Sequence, residues 1–376
     1  MPLELFFDLV FVLALTQCTA LMAHDPTWAH LAEGLLILGL MWWSWVGYAW
    51  LTSVVDPEEG AVRFAIFAAM AGLLIVSLCI PDAFGDRALL FACAYAVVRM
   101  GQIALFTLAS RDDPALRQSV VGLACGTALG SGLVIAGALF ESDTTQVILW
   151  SVAMLLDVGE PYLFGSEGWR LSPGHFAERH GLIIIIALGE SIVAIGVGAG
   201  HHVDAGVVAA AVLGIAVAGA LWWLYFDIVA LVAERRLAQA APGREQNEIA
   251  RDSFSYLHFP MVAGIVLVAL GLKKTIEHVD DPLELVPAVA MLGGCALYLL
   301  AHVAFRWRNV HRFSAQRVLA AVLLAGFIPA AVEIPALVTL GAVAAALALL
   351  IAYETVHFAE LRERLRHQLA AEPAGD

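Results

Sequence analysis

Charged side chains are scarce in this 376-residue chain: Asp, Glu, Lys and Arg make up 14% of it, against about 25% in soluble globular domains. So few charges cannot cover a water-facing surface of this size, which excludes an ordinary soluble enzyme or binding domain. Cysteine is scarce too. Cys18, Cys79, Cys93, Cys125 and Cys295 include no CxxC and no Cys/His pair at metal-ligand spacing, and all fall in apolar stretches. They are expected to be buried small hydrophobes. A Walker motif, a glycine-rich dinucleotide turn, HExxH and a nucleophile elbow are missing as well. With no soluble catalytic segment in view, an ATP-driven pump is disfavoured. No basic segment or small-residue cleavage site precedes the first apolar run, so that run is expected to remain as a helix.

Apolar residues dominate instead, at 61% of the chain with a mean hydropathy of +0.83. A helix needs about 20 apolar residues to cross the hydrocarbon core, and apolar runs between polar breaks predict twelve spans. They lie near 4–23, 31–52, 62–80, 88–109, 117–140, 145–165, 180–199, 206–233, 256–273, 284–306, 316–332 and 335–358. The expected class is an all-α polytopic membrane protein. A polar loop over about 234–255 lies between the eighth and ninth spans, and Pro260 is expected to kink or begin the ninth.

The basic residues test this count. Of the 20 Lys and Arg, Arg99 falls inside a span, and Arg87, Lys273 and Lys274 fall in loops on one side. The remaining sixteen, all arginines, fall on the other side, which the positive-inside rule makes cytoplasmic. Both termini are then expected to be cytoplasmic. The net charge of −14 adds little about partners.

The two halves resemble one another in order. "ALTQ" at 14–17 matches "ALGE" at 187–190, and "MWWSW" at 41–45 matches "LWWLY" at 221–225. Arg63-Phe64 matches His258-Phe259, Tyr95 and Arg99 match Tyr298 and His302, and Arg117 matches Arg317. "LLDVGEPYLF" at 155–164 aligns with "LLIAYETVHF" at 349–358, pairing Glu160 with Glu354. The pattern predicts two parallel six-helix repeats, 1–170 and 171–360, followed by a cytoplasmic tail at 361–376. An even number of helices per repeat places a pseudo-twofold axis along the membrane normal.

A charge at the bilayer centre costs about 2.5–3.5 kcal/mol on insertion scales, so intramembrane polar residues are candidate sites. Glu190, in "GLIIIIALGESIVAIGVGAG", lies about 15 Å along its span at about 1.5 Å per residue. Its neighbours Gly189, Gly196, Gly198 and Gly200 suit close approach of a helix or ligand. Gln17 occupies the matching depth in the first span. Glu190, Asp8, Gln17, Arg99, Asp157 and Asp227 are the candidate proton, ion or substrate path. Glu4, Glu178, Arg179, His258, Glu160 and Glu354 form a candidate cytoplasmic polar cluster, in which interfacial ion pairs locking the helices are the favoured reading for Glu4, Glu160, Glu178 and Glu354. Trp42, Trp43, Trp45, Trp50, Trp222 and Trp223 read as packing or interfacial-belt residues. His201, His202 and His278 read as solvated loop residues, and no metal or cofactor site is expected.

In "PLELFFDLVFVLALTQ" the chain resembles the bacterial low temperature requirement A (LtrA) family. The likeness continues in "MWWSWVGYAWLTSVVDPEEGAVRFAIFAAM", "HFAERHGLIIIIALGESIVAIGVGA", "LWWLYFD" and "YLHFPMVAGIVLVALGLK", and so runs from residue 2 to about 360. It implies a multipass bacterial membrane protein, but no particular reaction. The family's recurrent polar positions map onto Glu4, Asp8, Gln17, Glu178, Arg179, Glu190, Asp227 and His258. One departure is the start at "MPLELFF", where family members carry a short basic segment before the motif.

Three functions compete. The leading expectation is a proton- or cation-coupled secondary transporter of a small solute or ion, with Glu190 exchanging protons. The alternatives are a structural or membrane-state-sensing protein, and a membrane-embedded enzyme acting on a lipid-like substrate near His180 and His258. The expected partners are the lipid bilayer and that solute, not nucleic acid, with homo-oligomerisation open.

Overall fold

The apolar runs fold into helices in the predicted order. The computed structural model describes residues 2–55, 57–140, 142–163, 168–200 and 203–360, so the expected tail at 361–376 and His201-His202 lie outside the described residues. The first eight helices are α1 (Pro2–His24), α2 (Trp28–Val54), α3 (Gly60–Cys79), α4 (Ala88–Ala109), α5 (Pro114–Gly137), α6 (Asp143–Leu163), α7 (Pro173–Ala199) and α8 (Ala205–Phe226). Two short helices follow, α9 (Val229–Gln239) and α10 (Arg244–Ile249), and a π-helical turn over Ala250–Tyr256. The chain ends in α11 (His258–Glu277), α12 (Leu285–Val310), α13 (Ala315–Ala331) and α14 (Ala336–His357). Among the described residues, ten helical stretches are long and apolar enough to cross a bilayer. The two borderline helices are α6, which carries Asp143, Gln146, Asp157 and Glu160, and the 17-residue α13. The chain is an all-helical multipass membrane protein with ten to twelve spans.

Its surface is inverted relative to a soluble protein. Phe64, Val97, Leu155, Leu349 and Val356 point outward, while Asp8, Arg99, Arg179, His180, Glu190, His258 and His302 are buried. Lipid accepts the first set, and the second has partners only inside the bundle. Trp42 and Trp45 belong to the interior, whereas Trp222 and Trp223 face out at the end of α8. The cysteines split in the same way. Cys18, Cys79 and Cys295 are buried as expected, but Cys93 and Cys125 are exposed, because a helix bathed in lipid can carry an apolar residue on its outer face.

In the first half α1 packs on α2 and α3, α2 on α4 and α6, and α3, α4, α5 and α6 pack in succession. In the second half α7 packs on α8 and α11, α8 on α14, and α11 through α14 in succession. The halves meet where α1 and α2 contact α7 and α11. The tightest approach is between α11 and α12. A Cβ on Gly264 would stand 2.7 Å from the Gly294 carbonyl oxygen, and a Cβ on Gly294 would stand 2.7 Å from the Gly264 carbonyl oxygen. Backbone cannot yield as a side-chain tip can, so Gly294→Ala is expected to cost about 1–3 kcal/mol. Thermal unfolding in detergent micelles checks this, with Gly326→Ala, which meets nothing within 4 Å, expected to be neutral.

Two segments depart from expectation. Ser172 and Pro173 start α7 seven residues before the predicted span, so Arg179 is a buried helical residue rather than a loop cation. The expected polar loop over about 234–255 is almost wholly helical. In α9 ("VALVAERRLAQ") Ala233 and Leu237 turn inward while Glu234 is exposed and Arg235 and Arg236 are partly buried, a period that lets a polar segment lie along the bundle end. Pro260 falls in the first turn of α11, where its missing N–H removes no helical bond. Of the glycines around Glu190, Gly198 is at a close approach, with its Cβ position 2.9 Å from the Lys273 carbonyl oxygen; Gly189, Gly196 and Gly200 face open space.

Candidate functional site

The polar face of α1 meets that of α7 along a buried seam. Glu4 and Asp8 are four residues apart and so share a face, as do His175 and Arg179. Arg179 Nη2 donates to Asp8 Oδ1 at 2.6 Å and Nη1 donates to Thr52 Oγ1 at 2.9 Å. Nη1 also lies 3.5 Å from Glu4 Oε1. His175 Nε2 is 2.7 Å from Glu4 Oε2. Trp45 Nε1 donates to Asp8 Oδ1 at 2.8 Å, and its ring centroid lies 5.5 Å from the Arg179 guanidinium carbon. Arg179 is 3% exposed and Asp8 0%. The charges persist out of water because Arg179 stands between both carboxylates and bonds directly to Asp8, although Asp8 Oδ2 and Arg179 Nε have no hydrogen bond among the described residues. Glu178 is exposed and takes no part in these bonds.

Deeper on the same seam lies Glu190, 1% exposed. It makes no ion pair among the described residues. Thr16 Oγ1 is 2.5 Å from Glu190 Oε2 and 3.1 Å from the Val12 carbonyl oxygen. Gln17, expected to match Glu190, is partly buried and one position round the helix from this contact. Consecutive helical residues point about 100° apart, and the rotation of α1 chose Thr16.

A second cluster binds the first half together. Arg99 Nη2 donates to Asp157 Oδ1 at 2.8 Å and Thr127 Oγ1 at 3.3 Å, and Nη1 donates to Gln102 Oε1 at 3.1 Å and the Trp43 carbonyl at 3.2 Å. Tyr95 Oη donates to Asp157 Oδ2 at 3.2 Å. Arg99, Asp157 and the buried Glu160 line a cavity of about 90 Å³, polar enough and roomy enough to hold several waters. In the second half Arg317 donates to both carboxylate oxygens of Glu354, at 2.9 and 2.8 Å. Asp227, at the end of α8, lines a separate cavity beside that pair.

Between these clusters runs a row of buried imidazoles. His180 Nδ1 is 2.9 Å from the Phe176 carbonyl oxygen, His258 Nδ1 3.0 Å from that of Ser253, and His302 Nδ1 2.8 Å from that of Tyr298. A carbonyl only accepts, so each Nδ1 carries hydrogen and each Nε2 is left for a second partner. His258 Nε2 takes the Tyr225 hydroxyl at 2.8 Å, whereas His180 Nε2 and His302 Nε2 have none among the described residues. Ring centroids are 5.1 Å apart for His180 and His258, 5.6 Å for His258 and Tyr225, and 5.9 Å for Tyr225 and His302. His258 therefore sits in this row and not with the acids. Among the described residues no three His, Cys, Asp or Glu side chains are grouped to hold a metal ion.

The Thr16–Glu190 contact can be made with the carboxyl in either protonation state, and the seam ties the halves together through Arg179. Sequence reasoning passed over Thr16, Thr52, Trp45 and His175. Of these His175 left a signal, four residues before Arg179 in the same motif.

Comparison with known proteins places the sequence among relatives. The family profile described as Bacterial low temperature requirement A protein (LtrA) matches residues 1–352. The Rhizobium meliloti (strain 1021) protein printed as "Uncharacterized protein RA0937" is 31% identical over 312 residues, covering 79% of this chain and 74% of that protein. No solved structure matches.

Proposed function

The chain belongs to the bacterial low temperature requirement A family, and we propose that it is a proton-coupled secondary transporter of the bacterial inner membrane in which Glu190 exchanges the proton. The observation that carries this reading is the Thr16–Glu190 contact, a buried carboxyl with no ion pair among the described residues, held by a hydroxyl across the α1–α7 seam. The hydroxyl has one hydrogen and two acceptors in reach. With Glu190 ionised, Thr16 donates to it. With Glu190 protonated, the carboxyl donates to Thr16, which turns its own hydrogen to the Val12 carbonyl. The seam thus stays bonded in either state, as an exchange site requires. An intramembrane acid of this kind is by default a functional group.

Two parallel six-helix repeats, 1–170 and 171–360, suit the same reading. The packing order supports them. Within each half the first helix contacts the second and third, the second contacts the sixth, and the third to sixth follow in series. The equivalent first helices, α1 and α7, meet each other. The arginine bias puts both termini in the cytoplasm, and the Asp8–Arg179 and Arg99–Asp157 pairs then stand as the inner gate, with Asp227 near the exit. In proteoliposomes under an imposed pH gradient, the wild-type chain is expected to dissipate the gradient and Glu190→Gln to fall to the level of empty vesicles. Equal flux in the two, with the variant folded, sinks the proposal.

A second reading is favoured by the closure of the site, since neither of the two cavities described above is lined by Glu190. A structural or membrane-sensing protein would use the contact for helix packing alone. Glu190→Gln and Thr16→Val would then lower the unfolding temperature and leave flux at background in every form, wild type included.

A further inference from the structure

At the arginine-rich end of the second half, α8, α9, α12, α13 and α14 enclose a cavity of about 320 Å³. Trp223, Val229, Val232 and Phe305 give it apolar walls, and Arg306, Arg312 and Arg317 outnumber the acids Asp227 and Glu354 there. Arg317 is committed to Glu354 through two buried hydrogen bonds. Arg306 is not so committed. It is partly buried, its Nη1 donates to the neutral Ser314 hydroxyl at 2.8 Å, and it makes no ion pair among the described residues. Its guanidinium carbon lies 5.8 Å from the Phe358 ring centroid, which holds it at the cavity wall. Arg312, in the turn between α12 and α13, is exposed and lines the same space. The nearby Glu354 carboxylate is already taken by the two Arg317 hydrogen bonds, so a half-buried Arg306 with Arg312 beside it leaves surplus positive charge that calls for an anion, and the planar fork suits phosphate oxygens.

The rest of the cavity argues for what carries that anion. A free phosphate has no use for walls of Trp and Val, whereas a phospholipid has both a charged head and an apolar body. The amphipathic α9 packs along α7, α8 and α12 and contributes Val229, Val232 and Ala233 to the lining, the placement of a helix lying in the headgroup region. Basic pockets between spans at the end of a bundle hold anionic headgroups elsewhere. The volume also lies within the range of small-molecule sites.

We propose that this cavity binds one anionic phospholipid from the adjoining leaflet, with its phosphate on Arg306 and Arg312 and its acyl chain along Trp223, Val229 and Val232. The site stands apart from Glu190 and does not depend on the transport reading.

The test uses the purified full-length protein in detergent, titrated with phosphatidylglycerol, phosphatidylcholine or inorganic phosphate. Native mass spectrometry reads the bound lipid, and the thermal unfolding midpoint reads the stabilisation that binding to the folded state produces. Phosphatidylglycerol is expected to be retained and to raise the midpoint, with phosphatidylcholine weaker. Arg306→Gln and Arg312→Gln together should weaken phosphatidylglycerol about tenfold, and Arg312→Gln alone, at an exposed position with no hydrogen bond or ion pair among the described residues, by a smaller factor. Arg236→Gln, on the same end but paired with Glu245 outside the cavity, should bind as wild type does. Equal retention of both lipids overturns the proposal, as does a phosphatidylglycerol affinity unchanged in the arginine variants. Stabilisation by inorganic phosphate equal to that by phosphatidylglycerol also overturns it, and makes the cavity a simple anion site.

Discussion

Replacing Arg179 by alanine is expected to lower the unfolding free energy by about 3–5 kcal/mol, the cost of leaving a buried charge without its partner. Arg179 lies at the junction of three helices. It donates to Asp8 on α1 and Thr52 on α2, stands 3.5 Å from Glu4, and stacks near Trp45. Its removal strips Asp8 of its cation at 0% exposure and leaves Glu4 to His175. Lysine would restore the charge but not the fork, so Arg179→Lys should recover only part of the loss. Removing the orphaned charge as well should help more: Asp8→Asn in the Arg179→Ala background is expected to be less harmful than the two single effects summed. Thermal unfolding of the four forms in micelles gives a coupling energy, expected in the range of about 0.5–3 kcal/mol. Strict additivity would show that the ion pair contributes nothing across the seam.

Arg99→Ala is expected to cost a similar amount, about 3–5 kcal/mol, for a different structural reason. Arg179 joins the two halves, whereas Arg99 fastens four helices of the first half to one another. Its donors reach the Trp43 carbonyl on α2, Gln102 on its own helix α4, Thr127 on α5 and Asp157 on α6. Without it Asp157 keeps the Tyr95 hydroxyl, one neutral donor for a buried carboxylate. Arg99→Met with Asp157→Leu removes both charges together and is expected to be closer to wild type than either single change, since apolar replacement of a whole buried pair is often tolerated. Unfolding midpoints check this directly. If Arg99→Ala is as stable as wild type, the cavity at about 90 Å³ admits enough water to solvate Asp157, and the pair is not what holds α2, α5 and α6 in place.

The site was legible in part. Glu190, Asp8, Arg99 and Asp157 stood out because an ionisable residue in an apolar run is rare enough to flag itself. What each one touches was not legible. Asp8 meets Arg179 across 171 residues of sequence, and nothing in either apolar run names the other. Thr16 was overlooked beside Gln17 because polarity ranks the amide higher, while the direction of α1 toward α7 favours the hydroxyl. The buried imidazole row was visible only in part: His180 and His258 were paired as a possible lipid-acting site, but His302 lies on α12, and nothing in the apolar runs joins it to them.

The sequence by itself determined the class of this protein and the order of its long helices. Apolar length is a local property, and the bilayer leaves a 20-residue apolar segment little choice but a helix. Arginine placement, equally local, gives an expectation of which loops share a side. Tertiary structure alone decided the partners. It turned α7 into a helix from Pro173 and so buried Arg179, laid α9 along the bundle end, and split the cysteines between core and surface. Helix period states which residues share a face, but not which helix that face will meet. In lipid any purely apolar face can stay outside, so it is the few polar contacts and the close glycine approaches that fix each helix's rotation and neighbours.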